Sequence, residues 1–232
     1  MRIAVIPARG GSKRIPRKNI KPFCGRPMLA WSIEAALASR CFDRIIVSTD
    51  DEEVAGVARQ SGAEVPFMRP PEFADDSTGT IAVIRHAIEW CSASGPSPDP
   101  VCCIYATAPF LRPADLRAGL DLLQGEGCEY VFAATEYAAP IQRALRISPM
   151  GRVSMFNPEY FTARSQDLEP AYHDAAQFYW GRTSAWIAGQ PVFSPAAAAL
   201  LLPKHRVQDI DTPDDWTRAE RMFKAFELGA AQ

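Results

Sequence analysis

A short segment rich in glycine and basic residues, RGGSKRIPRKN at 9–19, has the residue types needed to bind phosphate. It follows an apolar run at 2–8, RIAVIPA, which has the composition of a β-strand. Gly10 and Gly11 let the backbone approach a ligand closely, and successive backbone N–H groups can surround a phosphate. Because the GxxxxGKS/T and GxGxxG patterns are both absent, we predict a triphosphate loop of another kind, with a solvated basic loop as the alternative. The positive charge comes from Arg9, Lys13, Arg14, Arg17 and Lys18.

A pair of carboxylates in VQDIDTPDDW, at 207–216, could bind a metal ion. In an extended segment, residues two apart point the same way, so Asp209 and Asp211 would present their carboxylates together. Two carboxylates, with phosphate oxygens and water, complete the coordination shell that Mg²⁺ prefers. The two aspartates that follow are assigned to helix formation, because Thr212 can cap the last helix and Pro213 suits its first position.

Two further polar clusters follow predicted strands. RPPEFADDSTGT, at 69–80, offers hydrogen-bonding groups suited to a base or ribose, and helix capping by Ser77 or Thr78 is the alternative. STDDEE, at 48–53, is interpreted as a helix start with Asp50 as its cap, without a catalytic role. The candidate ligand-binding residues of the first cluster are Arg69, Asp76, Thr78 and Thr80.

A third polar cluster lies in ARSQDLEPAYHDAAQFYWG, at 163–181. Arg164, His173 and Gln177 are two cations and an amide that could bind a carboxylate or hydroxyl groups. A lone histidine is more often structural than functional, so the residues alone leave both interpretations of His173 open.

The elements that must position these residues alternate between strand and helix. This order predicts a doubly wound, mostly parallel Rossmann-like sheet with helices on both faces, in which ligands bind at the carboxyl ends of the strands. Strands are predicted at 2–8, 44–49, 64–69, 101–106, 130–137 and 203–210, and helices at 25–39, 50–60, 78–90, 113–123 and 213–228. Residues 138–182 lack this alternation and are predicted to form a small β-rich arm outside the main sheet, within a single domain of residues 1–232.

The composition is that of a globular protein: 232 residues with a formal net charge of −2. Residues 1–33 hold eight basic residues and no acidic one, so the remaining 199 hold 17 basic and 27 acidic residues. This asymmetry indicates one anionic ligand at one place, and not a nucleic-acid-binding face. No apolar stretch approaches the ~18 residues of a membrane span. Only five apolar residues precede Pro7 and Arg9, which is fewer than the ~7–15 residues of a signal-peptide core. The six cysteines form no CxxC pair, so we expect reduced thiols in a cytoplasmic protein.

Several of these segments occur together in one known family. In combination they resemble the cytidylyltransferases that activate nine-carbon sialic-type acids, and the stretch 140–181 resembles the branch that acts on pseudaminic acid. The resemblance covers roughly residues 2–223. The segments that carry it are IPARGGSKRIPRKNI (6–20), IIVSTDDEEVA (45–55), FMRPPEFADDSTGT (67–80), ATAPFLR (106–112), DIDTPDDW (209–216) and, for the branch, PIQRAL and SQDLEPAYHDAAQFYWG.

The resemblance implies a fold of the nucleotide-diphospho-sugar transferase type and a reaction. The anomeric hydroxyl of a 2-keto-3-deoxy acid attacks the α-phosphate of CTP, giving a CMP-sugar and pyrophosphate, with Mg²⁺ on Asp209 and Asp211. Arg9, Lys18 and Asp211 are the expected catalytic residues, and the arm at 138–182 is expected to form a homodimer and to help close the partner's sugar site. The nucleotide-binding residues are expected to be Ala8, Arg9, Gly10, Gly11, Lys13, Lys18, Asn19, Arg69, Asp76, Thr78 and Thr80, and the sugar-binding residues Tyr105, Gln142, Arg143, Arg164, His173 and Gln177.

The chain departs from the sialic acid members of the family only on the sugar side. Tyr105 stands where those members have a glutamine, Gln142 where they have a lysine, and His173 where they have an arginine. This pattern favours pseudaminic acid over N-acetylneuraminic acid as substrate, with legionaminic and N-acetylneuraminic acids as alternatives. A metal-dependent glycosyltransferase with a DxD pair and a nucleotide-binding regulator without turnover are the alternatives from other classes.

Overall fold

The structure is a computed structural model, and it describes residues 1–75, 78–125 and 127–230, the last four by their backbone alone. The strands of the described chain are β1 (Ile3–Pro7), β2 (Pro22–Phe23), β3 (Arg26–Pro27), β4 (Arg44–Ser48), β5 (Val101–Ile104), β6 (Tyr130–Glu136), β7 (Leu145–Ile147), β8 (Val153–Met155), β9 (Tyr172–Gly181) and β10 (Ala197–Leu201). The α-helices are α1 (Met28–Ser39), α2 (Glu52–Gln60), α3 (Thr80–Ala93), α4 (Pro113–Gly125), α5 (Thr183–Ala188) and α6 (Pro213–Ala230).

Six strands form the central sheet in the order β10-β6-β9-β5-β1-β4. All neighbours pair in parallel except β9, which runs antiparallel to both β5 and β6. Successive residues of β1 alternate between two cores: Ala4 and Ile6 pack with α1, α2 and α4, whereas Ile3 and Val5 pack with α3 and α5. The predicted doubly wound α/β fold is therefore confirmed, and the apolar strands owe their continuity to burial on both faces.

Strand β9 corrects the predicted extent of the arm. The sequence QFYWG was expected in an excursion outside the sheet, but it lies at the sheet's centre. Phe178 and Trp180 are fully buried in one core, and Tyr179 packs into the other. Only the part of the arm before β9 lies outside the sheet, where β7 and β8 form a small hairpin. A strand buried on both faces has no polar face, so its pattern did not distinguish it from an aromatic arm.

Two other predicted strands are wrong. At 64–69 the chain makes only isolated parallel bridges from Glu64 and Met68 to the region of β4, because Pro66 has no N–H to donate. At 203–210 the chain forms a 3₁₀ turn, Lys204–Arg206, after Pro203. The strand of this region is β10, an alanine-rich edge strand that was not predicted from the sequence.

The five predicted helices exist: α4 and α6 begin at the predicted Pro113 and Pro213, and the other three begin two or three residues later than predicted. Helix α1 begins at Met28, because Cys24 and Gly25 both have positive φ and form the tight turn of the β2–β3 hairpin. Helix α2 begins at Glu52 and α3 at Thr80. In the described part of the chain, no helix combines the length and apolar character needed to cross a membrane.

A third apolar cluster joins the two chemically interesting segments. Ile15 and Phe23, from the glycine-rich loop and the hairpin after it, pack against Ile210 and Trp216 at the start of α6. Phe23 contacts Trp216 edge to face at a centroid distance of 5.5 Å. This packing brings the loop at 9–19 beside the carboxylates at 209–211.

Candidate active site

The loop at 9–19 borders a cavity of about 470 Å³ at the carboxyl ends of β1 and β5, which we call the cationic pocket. This is the location expected for ligands in an open α/β sheet. Asp75 is the one acidic residue among its described lining, against five basic residues. The lining comprises Pro7, Arg9, Ser12, Lys13, Arg14, Lys18, Asn19, Arg69, Phe73, Asp75, Thr78, Thr80, Val83, Tyr105, Ala106 and Thr107.

Backbone and amide hydrogen bonds fix the conformation of the loop. Asn19 donates from Nδ2 to the carbonyl of Arg9 at 2.8 Å, and the N–H groups of Ile20 and Lys21 both donate to the carbonyl of Arg17. Arg17 has a φ of 56°, in the left-handed region. These bonds form a turn that directs Lys18 toward the cavity and Arg17 away from it.

Arg17 does not contribute its charge to the cavity, contrary to expectation. Its guanidinium binds both carboxylate oxygens of Asp51, at 2.5 and 3.0 Å, and also contacts Glu53. Hydrogen bonding to Arg17 lowers the pKa of Asp51 to about 2. Asp51 is also the N-cap of α2, where it accepts from Val54, so the predicted cap at Asp50 is wrong. Asp50 instead accepts from the N–H of Gly10 at 2.9 Å.

The two glycines of the loop have different reasons for lacking a side chain. A Cβ at Gly10 would lie 2.6 Å from Oδ2 of Asp51, so this glycine allows the loop to pack on the start of α2. A Cβ at Gly11 would meet nothing within 4 Å, which agrees with an open surface for a ligand. Ala8 is fully buried, and its N–H donates to the carbonyl of Ser48 in the neighbouring strand.

Arg69 is a buried cation in the wall of the cationic pocket. It is 6 % exposed, and its guanidinium donates to both the hydroxyl and the carbonyl of Ser48. Burial lowers its pKa to about 10, and the positive charge of Arg9 contributes in the same direction. An anionic ligand between the two guanidiniums would relieve this repulsion.

The loop that precedes α3 forms the opposite wall. Thr78 donates from its hydroxyl to Asp75 at 2.6 Å, and the N-cap of α3 is Gly79, so Thr78 does not cap the helix. Thr80 begins α3 and borders the cationic pocket together with Tyr105. The predicted Asp76 and Ser77 lie outside the described residues.

A second cavity, of about 440 Å³, contains the carboxylate pair, and we call it the acidic pocket. Lys18, which lines the cationic pocket, connects it to the acidic pocket. Its Nζ donates to the carbonyl of Ile210 at 2.7 Å and lies 3.3 Å from Oδ1 of Asp211. Arg14, from the same loop, lies 2.8 Å from the same oxygen. The lining comprises Thr135, Glu136, Ala138, His173, Lys204, Val207, Gln208, Asp209, Asp211, Asp215 and Arg218.

The two carboxylates fit a hard divalent cation. Burial, followed by repulsion from Asp211, raises the pKa of Asp209, and a cation between them would remove this repulsion. Carboxylate oxygens are the ligands that Mg²⁺ prefers. Within the described ranges no group of three or more His, Cys, Asp or Glu side chains could hold a metal, so further ligands would have to come from substrate or water.

The second of the two aspartates in the first turn of α6 has the structural role predicted for it. Asp215 accepts from the N–H and hydroxyl of Thr212, and Thr212 accepts in return from the N–H of Asp215 at 3.2 Å. This is a capping box at the start of α6. Hydrogen bonding to Thr212 lowers the pKa of Asp215.

The candidate sugar-binding residues are divided among four environments. Tyr105 borders the cationic pocket and His173 the acidic one. Gln177 is 3 % exposed and donates to the carbonyl of Arg206, so it supports the turn before the carboxylate pair. The other three bond within the arm: Gln142 to the carbonyl of Glu169, Arg143 to Ser165 and Arg164 to Asp167.

A third cavity adjoins Tyr105, and apart from Tyr105 and Thr80 its lining residues were not predicted from the sequence. It encloses about 180 Å³ between β9 and α3, with Thr80 and Tyr105 shared with the cationic pocket. The alternation of β9 could have identified Tyr179 as a residue on the α3 face, had that strand been assigned to the sheet. The remaining lining residues are Ile81, Asp174, Tyr179, Trp186, Val192 and Phe193.

Comparison with known proteins gives one consistent family. The sequence model of a family described as cytidylyltransferase matches residues 3–149. A pseudaminic acid cytidylyltransferase of Campylobacter jejuni is 44 % identical over 222 residues, which cover 96 % of each chain. A CMP-N,N'-diacetyllegionaminic acid synthase of Legionella pneumophila is 33 % identical over 229 residues, also 96 % of each chain.

Similarity to solved structures extends over nearly the whole chain. A CMP:2-keto-3-deoxy-manno-octonic acid synthetase complexed with CTP superposes with a TM-score of 0.69 at 16 % identity, covering 97 % of this chain and 98 % of that one. At this identity the similarity shows the fold.

Proposed function

The chain belongs to the cytidylyltransferase family, and from that premise we propose that it transfers CMP from CTP to pseudaminic acid, a nine-carbon sialic-type 2-keto-3-deoxy acid, with release of pyrophosphate. The choice of acid is supported by the 44 % identity to a pseudaminic acid enzyme, against 33 % to a legionaminic acid enzyme over the same share of the chain. The observation that carries the reaction is the contact of Lys18, a lysine of the cationic pocket, with Asp211 of the carboxylate pair.

We assign the triphosphate of CTP to the cationic pocket. The guanidinium of Arg9, the ammonium of Lys18 and the buried charge of Arg69 surround a space that is open at Gly11. In the transition state, negative charge builds up on the α-phosphate oxygens and the departing pyrophosphate. Cations that are already fixed stabilise this charge without reorganising, which is the largest contribution expected in phosphoryl transfer.

We assign Mg²⁺ to Asp209 and Asp211. When bound, the ion would neutralise phosphate charge and make the attacking hydroxyl more acidic. The chain's own contribution is to hold Asp211 in place with Arg14 and Lys18, so that one of its oxygens can accept the proton of the sugar hydroxyl. We assign the sugar acid to the region between Tyr105, at the cationic pocket, and His173, at the acidic pocket. Its attacking hydroxyl would then lie between the two pockets.

We also propose a cytoplasmic homodimer, formed through the arm. Residues 137–172 carry a concentration of exposed large apolar side chains, among them Ile147 at 71 % and Phe161 at 73 % exposure. Covering such a surface with a second copy is favourable, since apolar area leaves water. Within one chain, Gln142, Arg143 and Arg164 bond only to other residues of the arm in the described structure. In the proposed dimer, these side chains of one copy would reach the sugar site of the other copy. Six unbridged cysteines agree with a reducing compartment.

The test is mass spectrometry of the products formed from CTP and Mg²⁺ with pseudaminic, legionaminic and N-acetylneuraminic acids offered separately. We expect a CMP adduct with pseudaminic acid that is lost with EDTA. An adduct with another acid would overturn the choice of substrate, and the absence of any adduct would overturn the reaction in favour of a glycosyltransferase or a regulator.

The carboxylate pair is tested by Asp211→Asn. Because the amide binds a cation poorly and cannot accept the proton, turnover should fall well over tenfold, which is more than ~1.4 kcal/mol of barrier. Asp214→Asn is the matched control, since Asp214 is exposed in the first turn of α6. Turnover of Asp211→Asn close to that of the control would contradict the metal assignment.

A further inference from the structure

A buried ion pair that the proposed reaction does not use lies just before the carboxylate pair. Arg206 donates from Nη2 to Oδ2 of Asp115, in the first turn of α4. Both residues are buried, at 9 and 8 % exposure. The same oxygen of Asp115 accepts from the N–H of Arg112 at 3.3 Å. The ion pair therefore joins the segment that leads to Asp209 to the loop that enters α4.

A second buried hydrogen bond reaches the backbone of Arg206. Gln177 of β9 is 3 % exposed and donates from Nε2 to the carbonyl of Arg206 at 2.9 Å. The carbonyl of Gln177 accepts from the N–H of Tyr105, just after β5, at 2.9 Å. Gln177 follows Ala176, which has a φ of 51°, in the stretch where the pairing of β9 with β6 changes register. Such an irregularity re-aims the side chains of a strand, and here the re-aimed amide meets Arg206.

Arg206 is the buried anchor of the segment that carries the carboxylates. Of residues 203–209, all of which the structure describes, only Arg206 is buried. The next anchor is Ile210, which is fully buried in the third apolar cluster and whose carbonyl accepts from Lys18. Asp209 lies between the two anchors and Asp211 follows the second. The placement of one carboxylate relative to the other therefore depends on both anchors.

The energetics of the ion pair favour a role in geometry over one in stability. Burying two charges costs much of what their attraction returns, so such a pair adds little to the free energy of unfolding but holds its elements in a fixed register. Mg²⁺ accepts little displacement of its ligands, because it requires a near-ideal octahedron with oxygens at ~2.0–2.1 Å. A segment that presents two carboxylates to such an ion needs a fixed backbone.

We propose that Asp115, Arg206 and Gln177 are positioning residues that fix the placement of Asp209 and Asp211 for Mg²⁺. This inference rests on the proposed function and adds to it the residues that hold the metal ligands in place. It assigns Gln177, which was expected to bind the sugar, to the support of the carboxylate pair.

Gln177→Leu tests the bond to the backbone. Leucine removes the amide donor and keeps an apolar side chain of similar length, so the carbonyl of Arg206 loses its partner. Loss of a group that orients metal ligands typically lowers metal affinity 10–100-fold, so we expect the Kd for Mn²⁺ to rise about tenfold. The KM values for CTP and for the sugar acid should stay within about twofold of the wild type, while kcat falls.

Metal binding is measured without turnover. Mn²⁺ replaces Mg²⁺, and electron paramagnetic resonance follows the free ion with CTP present and the sugar acid absent, against a sample of CTP without protein. Tyr130→Phe is the matched control, because it removes another buried hydrogen bond from a side chain to a backbone carbonyl, that of Gln190. Neither Tyr130 nor Gln190 lines the cationic or the acidic pocket. The control should bind Mn²⁺ as the wild type does.

The ion pair is tested by replacing both charges together, Asp115→Leu with Arg206→Met. Exchange of a whole buried ion pair for apolar side chains is often neutral for stability, so Tm should change little. We expect the Kd for Mn²⁺ to rise about tenfold nevertheless, because the segment loses its attachment to α4. An effect on Tm without an effect on Mn²⁺ binding would show that the pair serves stability alone.

The outcomes separate this inference from the proposed reaction. Wild-type affinity for Mn²⁺ in both variants overturns the inference, and so does a raised sugar KM with unchanged Mn²⁺ affinity in Gln177→Leu, which would return Gln177 to the sugar site. A wild type that forms no CMP adduct overturns the reaction, whereas the Mn²⁺ measurement needs no sugar acid and still decides the inference. Thermal unfolding identifies a variant that has lost its fold, and the other variant then decides.

Discussion

At the scale of single residues, two adjacent cations have opposite roles. Arg17 and Lys18 are equivalent in a count of charges, but the left-handed backbone at Arg17 turns its side chain to Asp51. Lys18 reaches instead toward Ile210 and Asp211. Part of the positive charge in the loop therefore stabilises the loop itself and leaves fewer cations for a ligand.

The Arg17–Asp51 pair gives a prediction for stability. Asp51→Ala loses both the helix cap and the ion pair and should lower the free energy of unfolding by about 1–2 kcal/mol, whereas Asp51→Asn keeps a capping oxygen and should lose less. Urea unfolding of the three proteins measures both differences.

The same pair predicts a pH dependence. Asp51 has its pKa lowered from 3.8 to about 2, so the carboxylate contributes fully above pH ~4 and its contribution is lost as the pH falls toward 2. The stability difference between wild type and Asp51→Asn should therefore shrink between pH 4 and pH 2. A difference that stays constant over this range would show that the ion pair contributes nothing.

At the scale of elements, the antiparallel strand β9 depends on a close approach by α4. A Cβ at Gly119 of α4 would lie 2.7 Å from the ring of Phe178 and 3.0 Å from that of Trp180. Trp180 also donates from its indole N–H to the carbonyl of Leu116 at 3.0 Å. The helix can lie this close to two buried aromatic residues only because position 119 has no side chain.

Replacing each of two helical glycines with alanine should have opposite effects on the stability of the fold. Alanine favours a helix by about 1 kcal/mol over glycine, and at Gly56 of α2 its Cβ would meet nothing within 4 Å, so Gly56→Ala should stabilise. At Gly119 the same gain is opposed by overpacking of typically 1–3 kcal/mol, so Gly119→Ala should destabilise. Thermal unfolding of the two variants and the wild type measures both effects. A higher Tm for Gly119→Ala than for the wild type would contradict the prediction and show that α4 can move away from β9.

At the scale of the whole molecule, the site is assembled from segments that are remote in sequence. The loop at 9–19 and the pair at 209–211 meet because Ile15, Phe23 and Trp216 share one apolar cluster. The arm, by contrast, has an exposed apolar surface that one chain does not cover. We propose a second copy of this chain as the partner that covers it.

A charge in that surface should prevent dimer formation. Ile147→Glu introduces a carboxylate at a side chain that is 71 % exposed in the single chain, and desolvating it in an interface is costly. We expect light scattering to give a dimer for the wild type and a monomer for this variant, with a raised sugar KM. Leu37→Glu, on the exposed face of α1, is the control and should remain dimeric. A monomeric wild type, or a dimeric Ile147→Glu, would contradict the proposed arm contact.

The sequence by itself determined the features whose signals are local. Alternating apolar runs and helical periods predicted the α/β sheet, and Thr212 with Pro213 predicted the start of α6. Glycines and cations after the first strand indicated an anion site, and the cavity lies there. These signals are local because side-chain direction and capping depend on neighbours a few residues apart.

Only the tertiary structure decided which groups act on each other. The insertion of β9 between β5 and β6 and the diversion of Arg17 to Asp51 both depend on contacts between distant segments. Lys18 and Asp211 are 193 positions apart, and no local pattern encodes their approach. It follows from the burial of the apolar cluster beneath them, because hydrophobic burial is non-directional and its outcome is set by the packing of the whole chain.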